Sequence, residues 1–370
     1  MKVAIITETF LPSTDGVVTR LLHAIDYLLS KDHEVLIIAP DLGVDRYKSA
    51  NVEGIKARKL LFYRYKEFAL PTKKVLTVLQ DYQPDIVHVV NPAILGISGI
   101  YYTKKLKIPL LASYHTHVPK YFDYYRLSFL KPLCWQYFKM LHNPASLNLC
   151  TSQTVENELK EKKFYNVHLW NKGVDTERFH PKYHKNEMRN YLTNGESDKK
   201  LLLFVGRLAA EKEIETLLPV LNEKTDIRVA MIGDGPEREK LEKLFQPYPV
   251  KFTGFLHGEE LANAYASADA FIFPSVTETL GLVILEAMAA GLPVIAAKSG
   301  PTIEQINDNI NGLLYDQKNT ADFIAKINLI EDENFHQTLK QNARIEAEKY
   351  SWKEASKQLE DFYYTVIEKN

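Results

Sequence analysis

The feature that most constrains the fold is an alternation of short apolar runs with segments of helical periodicity, and the alternation occurs twice. In the first half the runs are rich in β-branched residues and lie at 2 to 7, 34 to 39, 85 to 90, 109 to 114 and 147 to 152. In the second half they lie at 201 to 206, 227 to 233, 250 to 255, 270 to 275 and 293 to 298. The runs are continuously apolar, as expected of strands buried on both faces of a parallel sheet. The pattern predicts an α/β protein with two doubly wound sheets.

A polar stretch at 180 to 200 separates the two sets of runs. We therefore expect one domain at 1–175, a second at 176–350, and an amphipathic C-terminal helix at 351–370 that packs back on the first domain. Open parallel sheets bind ligands beyond the carboxyl ends of their strands. Two such domains facing across a cleft would place their ligand sites together.

The net charge of −1 conceals an asymmetry between the halves. Residues 1 to 172 carry 23 Lys and Arg against 15 Asp and Glu, which fits either a solvated surface or attraction to an anionic membrane. Cys134 and Cys150 have apolar neighbours and no metal-ligand spacing, so we expect buried, reduced thiols in a cytoplasmic protein. No run of about 18 apolar residues is present, which favours peripheral contact with the inner face of the cell membrane over a spanning segment.

The stretch from Pro274 to Pro293 is typical of a strand end, a loop, a helix and a stop. A helix N-terminus presents backbone N–H groups and the positive end of the helix dipole, which favour a diphosphate. Glu278 in the loop and Glu286 on the helix can accept hydrogen bonds from hydroxyls. The stretch predicts a site for a phosphorylated, hydroxyl-rich ligand such as a nucleotide sugar.

A pair of glutamates is also typical of a glycosidase active site. A retaining glycosidase holds its two carboxyl groups roughly 5 Å apart. Eight helical positions separate Glu278 from Glu286 by about 12 Å along the axis. The spacing favours two ends of one extended ligand over an acid and nucleophile pair.

Two cations follow the run at 201 to 206. Arg207 comes directly after the strand, and Lys212 is expected near the start of the next helix. From these positions both can contact a diphosphate from one side. The alternative, two solvated surface charges, is favoured for an isolated pair but not for one at the carboxyl end of a strand.

Two glycines are candidates for close approach to a ligand. Gly16 follows Asp15 just before a helix, whose N–H groups we expect to be offered to phosphate. Gly233 lies in a GDGP turn where Arg238 replaces the third glycine of a dinucleotide fingerprint, which disfavours a nicotinamide dehydrogenase.

His115 and His117 end the fourth strand two residues apart. Such a pair can bind a metal, but no third ligand lies at a useful spacing and we expect no metal. The favoured interpretation is that His115 donates a hydrogen bond to a sugar hydroxyl or a phosphate oxygen.

Taken in order, these pieces resemble a known family. The Gly16 loop, His115, Arg207 with Lys212, the Gly233 turn, FTGFL at 252 to 256 and ETLGLVILE at 278 to 286 resemble the retaining glycosyltransferases of family four, over nearly the whole length. Longer strings, among them SYHTHVPKY and LWNKGVDTERFHP, are similar to lipid glycosyltransferases of the sulfoquinovosyl diacylglycerol synthase type. The resemblance implies the GT-B fold, which consists of two Rossmann-like domains.

The resemblance also implies roles for single residues. Arg207 and Lys212 would stabilise the leaving diphosphate, and Glu278 and His115 would contact the donor sugar. The residues implied to bind the donor are Gly16, Arg207, Lys212, Gly233, Phe255, Leu256, Glu278, Thr279, Leu280, Gly281, Leu282 and Glu286, with Glu286 on the ribose. The sequence departs from the family pattern at Asp15, Glu213 and Thr279, where glycine is common.

The implied reaction needs no metal and no cofactor and keeps the anomeric configuration. The donor would be a nucleotide sugar, with UDP favoured and UDP-sulfoquinovose or a UDP-hexose as examples, and the acceptor a diacylglycerol-like or other lipid. A soluble acceptor, and a UDP-sugar epimerase of the same fold, are the alternatives. No feature indicates a nucleic-acid partner.

The segment from Tyr101 to His142 is rich in basic and aromatic residues. It carries seven Lys and Arg and one acidic residue, Asp123, a composition that suits an anionic lipid surface. Aromatic side chains that would suit the membrane interface are Tyr121, Tyr124, Trp135 and Tyr137. The alternative is a helical hairpin packed in the core of the domain.

Overall fold

The first of two units is built on a sheet of mostly parallel strands. In the computed structural model, which describes residues 1–60 and 63–369, this unit comprises Met1–Lys172 and Trp352–Asn370. Its strands are β1 (Lys2–Thr7), β2 (Glu34–Pro40), β3 (Arg46–Tyr47), β4 (Ala50–Ile55), β5 (Ala57–Leu60), β6 (Tyr63–Ala69), β7 (Ile86–Val90), β8 (Leu110–Ser113), β9 (Leu147–Cys150) and β10 (Val167–Leu169). Eight of them form one sheet in the order β10-β9-β8-β7-β1-β2-β4-β3, whereas β5 and β6 pair separately.

Helices cover both faces of this sheet. They are α1 (Gly16–Ser30), α2 (Lys74–Tyr82), α3 (Leu95–Leu106), α4 (Val118–Tyr124), α5 (Lys131–His142) and α6 (Gln153–Glu161). Alternate residues of β1 point to opposite faces, so Ile5 packs in one cluster with α1 and Ile6 in another with α2 and α3. Both faces of β1 are therefore buried, which explains its continuously apolar sequence.

The second unit, Gly173–Ser351, has a fully parallel sheet. Its strands are β11 (Lys200–Val205), β12 (Ile227–Ile232), β13 (Val250–Gly254), β14 (Ala270–Phe273), β15 (Val294–Ala297) and β16 (Gly312–Tyr315), in the order β13-β12-β11-β14-β15-β16. Its helices are α7 (Asn186–Leu192), α8 (Leu218–Glu223), α9 (Arg238–Phe245), α10 (Gly258–Ala266), α11 (Leu282–Ala289), α12 (Gly300–Ile303), α13 (Thr320–Leu329) and α14 (Glu333–Ala347). The strand order reverses between β11 and β14, which is where such sheets bind ligands.

The last helix, α15 (Trp352–Glu368), belongs to the first unit rather than to the second. Its apolar face, with Leu359 and Tyr363, joins the cluster of α1. The Glu360 carboxylate contacts His33 Nε2 at 2.6 Å and accepts a hydrogen bond from the Tyr27 hydroxyl at 3.1 Å. The amphipathic pattern of the C-terminal segment thus corresponds to a helix packed on α1.

Each of the ten apolar runs predicted as strands contains a strand. The prediction lacked strands β3 to β6, β10 and β16. The boundary between the units falls between Lys172 and Gly173, slightly before the expected 175/176. In the described part of the chain, every helix is too short or too polar to cross a bilayer.

Candidate active site

The loop after β11 brings two predicted cations to the point where the strand order of the second unit reverses. Arg207 follows β11, and Lys212 ends a single 3-10 turn, Ala210–Lys212, rather than beginning an α-helix. The next residue, Glu213, has a left-handed backbone with φ 51°. A left-handed backbone favours glycine, the residue that the resemblance led us to expect at this position.

A turn of glycines holds this loop in place. Gly233 has φ 131°, and a Cβ there would lie 2.0 Å from the carbonyl oxygen of Gly206. A Cβ at Gly235 would lie 2.3 Å from the carbonyl oxygen of Leu208. The GDGP sequence is therefore a turn, as predicted, and its glycines let two loop backbones approach closely.

Arg207 is anchored by a glutamate that the sequence prediction missed. Its guanidinium donates to the carboxylate of Glu211, a fully buried residue four positions later. The backbone carbonyl of Glu211 accepts hydrogen bonds from the hydroxyls of Ser275 and Thr277 at 3.1 and 3.2 Å. Glu211 thus connects the Arg207 loop to the loop after β14.

Lys212 and Glu278 form an ion pair in the second unit. Their loops follow β11 and β14, which are adjacent in the sheet, so residues 66 positions apart meet. Burial lowers the pKa of Lys212 to about 8, with the Arg207 cation adding to the lowering and Glu211 opposing it. The pair places an ammonium group and a carboxylate side by side at the edge expected to bind a ligand.

The helix after this loop begins without a side-chain cap. Gly281, with φ 76°, is the N-cap of α11, and because it has no side chain it supplies no side-chain cap. On the loop before it, the carbonyl of Leu280 accepts a hydrogen bond from the buried Gln305 side chain, and Thr279 is buried. The first turn, starting at Leu282, accordingly presents N–H groups that favour an anion.

Glu286 lies one turn further along α11 and has a different partner from Glu278. The Tyr265 hydroxyl on α10 donates to its carboxylate at 2.9 Å. Burial raises the pKa of Glu286, and the hydrogen bond from Tyr265 and the charge of Arg178 oppose the rise. The two glutamates therefore have separate partners, Lys212 for Glu278 and Tyr265 for Glu286.

Phe255 and Leu256 follow β13. The Phe255 side chain is exposed and stacks on His257 with a centroid distance of 5.9 Å, whereas Leu256 packs against the core. Gly254 before them has φ 74° and accepts a hydrogen bond from the Gly233 N–H at 2.8 Å. That N–H of Gly233 is therefore occupied within the protein.

In the first unit, helix N-termini at the equivalent edge are filled by carboxylates of the chain. Glu8, after β1, accepts hydrogen bonds from the N–H groups of Ala93, Ile94, Leu95 and Gly96 at 2.7 to 3.2 Å. These N–H groups precede or begin α3, so the carboxylate occupies the position an external anion would take.

A second carboxylate caps α1. Asp15 Oδ1 accepts from Val17 N at 3.0 Å and Val18 N at 3.1 Å. The expectation that the start of this helix offers these N–H groups to phosphate is therefore wrong, because the Asp15 N-cap already satisfies them. Gly16 is the first residue of α1 and has a helical backbone.

His115 is buried in a polar network of the first unit. Its Nε2 lies 2.8 Å from Ser113 Oγ, which is also 2.7 Å from His88 Nε2. His88 Nδ1 lies 2.8 Å from the Tyr363 hydroxyl on α15. Burial lowers the pKa of His88 to about 3 and that of His115 well below its usual value, the charge of Arg20 adding in both cases.

Both histidines are consequently neutral, and the network links their tautomers. If Tyr363 donates to His88, then His88 donates to Ser113, Ser113 donates to His115 Nε2, and the ring proton of His115 sits on Nδ1. The reverse order places that proton on Nε2. The tautomer of His115 thus depends on a hydroxyl of the C-terminal helix.

The two histidines of the HxH pattern do not converge. His117 Nε2 contacts Glu158 at 2.7 Å, whereas His115 contacts Ser113. Across residues 1–60 and 63–369, no three His, Cys, Asp or Glu side chains form a group able to hold a metal ion.

The basic and aromatic segment is partly packed in the core. Trp135 and Tyr137 pack against a cluster that contains the buried Cys134, and Tyr121 and Tyr124 are partly buried. The exposed apolar side chains of the segment are others: Tyr101, Tyr125, Leu127, Phe129, Leu133 and Met140. Both cysteines are free and buried, and burial raises the pKa of Cys134 to about 11.

The sequence prediction missed several residues that support the candidate site. Glu211 contacts Arg207 and Tyr265 contacts Glu286. His88 and Tyr363 are linked to His115 through the Ser113 hydroxyl. Only Glu211 had a usable signal, its i, i+4 spacing from Arg207. The others are brought to the site by the packing of helices or strands distant in sequence.

Two family models match the chain. Residues 14–178 match the model described as Glycosyltransferase Family 4. Residues 189–346 match the model described as Glycosyl transferases group 1. The first match lies in the first unit except for its last residues, and the second lies entirely in the second unit.

Three curated relatives are similar over most of the chain. The sulfoquinovosyl transferase SQD2 of Arabidopsis thaliana is 36% identical over 95% of this chain and 71% of its own length. A GDP-mannose-dependent alpha-mannosyltransferase of Corynebacterium glutamicum is 33% identical over 99% of this chain and 89% of its own. The alpha-monoglucosyldiacylglycerol synthase of Streptococcus pneumoniae is 28% identical over 100% and 87%.

Among solved structures, the sucrose-phosphate synthase of Thermosynechococcus elongatus is similar, with a TM-score of 0.83. The match covers 100% of both chains at 21% sequence identity. At that identity the likeness shows the fold, which is GT-B with two Rossmann-like domains.

Proposed function

We propose, for a chain that belongs to glycosyltransferase family 4, that it transfers a sugar from a nucleotide sugar to a lipid acceptor with retention of the anomeric configuration. UDP is the favoured nucleotide, and a diacylglycerol-like hydroxyl is the favoured acceptor. One observation supports the binding of the donor. The Lys212 and Glu278 pair, the Arg207 loop and the uncapped start of α11 all lie in the second unit.

In this proposal the second unit stabilises the leaving group. The bond between the anomeric carbon and the diphosphate oxygen breaks, and the diphosphate keeps the electron pair. Arg207, Lys212 and the first turn of α11 offset the developing negative charge, which is the dominant electrostatic work of such a step. The acceptor oxygen bonds to the anomeric carbon on the same face, and its proton passes to a phosphate oxygen.

The proposed donor contacts follow the geometry of each group. The diphosphate is assigned to Arg207, Lys212 and the backbone from Thr279 through Leu280 and Gly281 to Leu282. The ribose is assigned to Glu286, the base to backbone near Phe255 and Leu256, and the sugar to Glu278 and the neutral His115. Gly233 acts by holding the Arg207 loop, and Gly16 contributes only its backbone.

Lipid acceptors are supported by the diacylglycerol product named for one relative. The first unit adds a segment with exposed Phe129, Leu133 and Met140 among lysines. Apolar side chains flanked by cations favour an anionic bilayer surface. We therefore propose peripheral membrane contact through residues 118 to 142. We also propose that the reaction uses no metal and no cofactor.

The test is a panel of donors and acceptors. Purified protein is incubated with UDP-, GDP- and ADP-linked sugars, each with diacylglycerol and with soluble sugars, and products are identified by mass spectrometry. We expect a glycosylated diacylglycerol from one UDP-sugar, with the α configuration seen by NMR. Transfer only to soluble sugars would refute the lipid acceptor, and an inverted product would refute retention.

One observation favours a second donor. The relative from Corynebacterium glutamicum is named for GDP-mannose and matches 99% of this chain. If GDP-mannose is the donor, the same panel gives a mannolipid and UDP does not inhibit its formation. Inhibition constants for UDP and GDP then decide between the two nucleotides.

A further inference from the structure

A buried tyrosine in the second unit makes a contact to which the proposed function assigns no role. Tyr265 on α10 is fully buried, and its hydroxyl donates a hydrogen bond to Glu286 Oε2 at 2.9 Å. We infer that Tyr265 is a positioning residue, which holds the Glu286 carboxylate so that it selects nucleotides that carry ribose hydroxyls. The inference rests on the proposed function, in which Glu286 binds the ribose of the donor.

The ring of Tyr265 is fixed by two other aromatic rings. It meets Phe179 edge-on with centroids 5.4 Å apart, and it lies tilted against Phe271 of β14 at 5.8 Å. Both phenylalanines are buried and belong to the same core cluster as Tyr265. Because the ring is packed in this way, the direction of its hydroxyl is set before a ligand binds.

Glu286 is placed so that only part of it faces the core. It is the fifth residue of α11 and is partly exposed, whereas its neighbours Leu285 and Ala287 are fully buried. Oε2 accepts the hydrogen bond from Tyr265. In the described part of the chain the other carboxylate oxygen, Oε1, accepts no hydrogen bond, so it can accept one from a ligand hydroxyl.

The protonation states fix the direction of the contact. Burial raises the pKa of Tyr265 well above its usual value, and the charge of Glu286 and the hydrogen bond to it add to the rise, so Tyr265 stays protonated and donates. A donated hydrogen bond favours the ionised form of Glu286, against the effect of burial. An ionised carboxylate is the stronger acceptor for ribose hydroxyls.

Loss of the Tyr265 hydroxyl should therefore affect one class of ligand more than another. Without it, the Glu286 carboxylate has lost the partner that orients it, and ordering it again costs part of the affinity gained from ribose. A nucleotide without ribose hydroxyls makes no such contact, so its affinity should hardly change. A merely structural role of Tyr265 would instead weaken the binding of both nucleotides equally.

The experiment is calorimetric titration of the full chain with two ligands. These are UDP or GDP, whichever binds the wild type more tightly, and the 2′,3′-dideoxy form of the same nucleotide. The variants are Tyr265→Phe, which keeps the packed ring, Glu286→Gln, and the two combined. The matched control is Tyr350→Phe in the same unit, because the Tyr350 hydroxyl also donates to a glutamate, Glu346, at 3.0 Å.

We expect the wild type and Tyr350→Phe to bind the ribonucleotide about 30-fold more tightly than its dideoxy form. In Tyr265→Phe this ratio should fall about fivefold, with the affinity for the dideoxy form within twofold of wild type. In Glu286→Gln the ratio should fall further. Adding Tyr265→Phe to it should cause no additional loss, because Tyr265 acts through Glu286.

Three results would overturn the inference: an unchanged ratio in Tyr265→Phe, an equal loss of affinity for both nucleotides, or the same fivefold fall when Glu286 is already replaced. The failure of the proposed function gives a different pattern. Wild type that binds neither UDP nor GDP rejects nucleotide-sugar chemistry and the inference with it. Wild type that prefers the ribonucleotide while Tyr265→Phe keeps that preference rejects only the role of Tyr265.

Discussion

At the edge where the strand order of each sheet reverses, the two units differ in what bonds to the N-termini of the following helices. In the first unit the helix N-termini are filled by the carboxylates of Glu8 and Asp15. In the second unit α11 starts at Gly281 with no described side-chain cap, and the nearby charged groups include Arg207 and Lys212. In the first unit carboxylates of the protein thus bond to the helix N-termini. In the second unit the N-terminus of α11 remains available to a ligand.

This difference supports the proposal that the second unit binds the donor diphosphate. A helix N-terminus attracts negative charge whether the charge comes from the protein or from a ligand. A carboxylate already in place excludes a phosphate by occupancy and by repulsion. In the proposal the first unit contributes polar contacts such as that of His115, whereas the carboxylates at the starts of α1 and α3 contribute to stability.

The largest expected effect comes from removing the cations of the second unit. Arg207→Ala and Lys212→Ala should each lower kcat by about 10²- to 10³-fold, because each removes a charge that stabilises the leaving diphosphate. Steady-state kinetics with the productive substrate pair measures the loss. Lys240→Ala, at an exposed position of the same unit, is the control. Activity within threefold of wild type in both variants would contradict the assignment.

A carboxylate placed at the start of α11, as at the start of α1 in the first unit, should weaken the binding of UDP to the second unit. Gly281→Asp places a carboxylate at the start of α11, and Gly281→Asn has the same shape without the charge; both residue types tolerate left-handed backbone. We expect UDP to bind the Asp variant about 100-fold more weakly than the Asn variant, because two anions compete for one helix end. Calorimetric titration of both variants is the measurement, and equal affinities would refute a phosphate site at α11.

The reciprocal change in the first unit should affect stability instead of binding. Glu8→Gln replaces a carboxylate that accepts from four N–H groups, so the free energy of unfolding should fall by about 2 kcal/mol. Urea unfolding measures it, with the exposed Glu161→Gln as control. UDP affinity should be unchanged, and a large loss of UDP affinity would show that the first unit holds the diphosphate after all.

The pH dependence of donor binding follows from the depressed pKa of Lys212. With a pKa of about 8, the ammonium is mostly charged at pH 7 and mostly neutral at pH 9, so UDP affinity should fall as the pH rises. The fall should reach up to about tenfold over these two pH units. Lys212→Arg should flatten it, because guanidinium stays charged. A slope that persists in the Arg variant would assign the titration to another group.

The smallest expected effect concerns the contribution of the first unit. Tyr363→Phe removes the hydroxyl next to His88, so the tautomer of His115 is no longer selected by the network. We expect kcat to fall about three- to fivefold with the donor KM nearly unchanged. Phe335→Tyr in the second unit serves as a control for an aromatic substitution remote from His115. A rise in KM without a change in kcat would indicate that Tyr363 acts on binding and not through His115.

The fold and part of the site were predictable for identifiable reasons. Strands buried on both faces must be continuously apolar, so the ten predicted runs could be found from periodicity alone. Arg207, Lys212, Glu278 and Gly281 lie just after strands, and parallel strands bring their carboxyl ends to one edge. Most of the strands missing from the prediction lacked such a run, because β3 and β10 have only two and three residues and β4 and β6 have charged residues among the apolar ones.

Asp15 shows where local interpretation failed. A glycine before a helix suggested an open phosphate site, but aspartate is also a good N-cap, and the structure shows the carboxylate used that way. The aromatic side chains of the segment from Tyr101 to His142 likewise divide into packed and exposed sets that composition does not distinguish.

Local sequence patterns were enough to predict two α/β units, the order of ten strands along the chain and the loops that carry charged residues, because burial and turn chemistry act over a few residues. The tertiary structure decided the partners. Lys212 meets Glu278, Glu286 meets Tyr265, and Glu8 fills the start of α3. Such pairings depend on which strands become neighbours and on how helices pack across a sheet, and these are long-range outcomes of burying the apolar faces together.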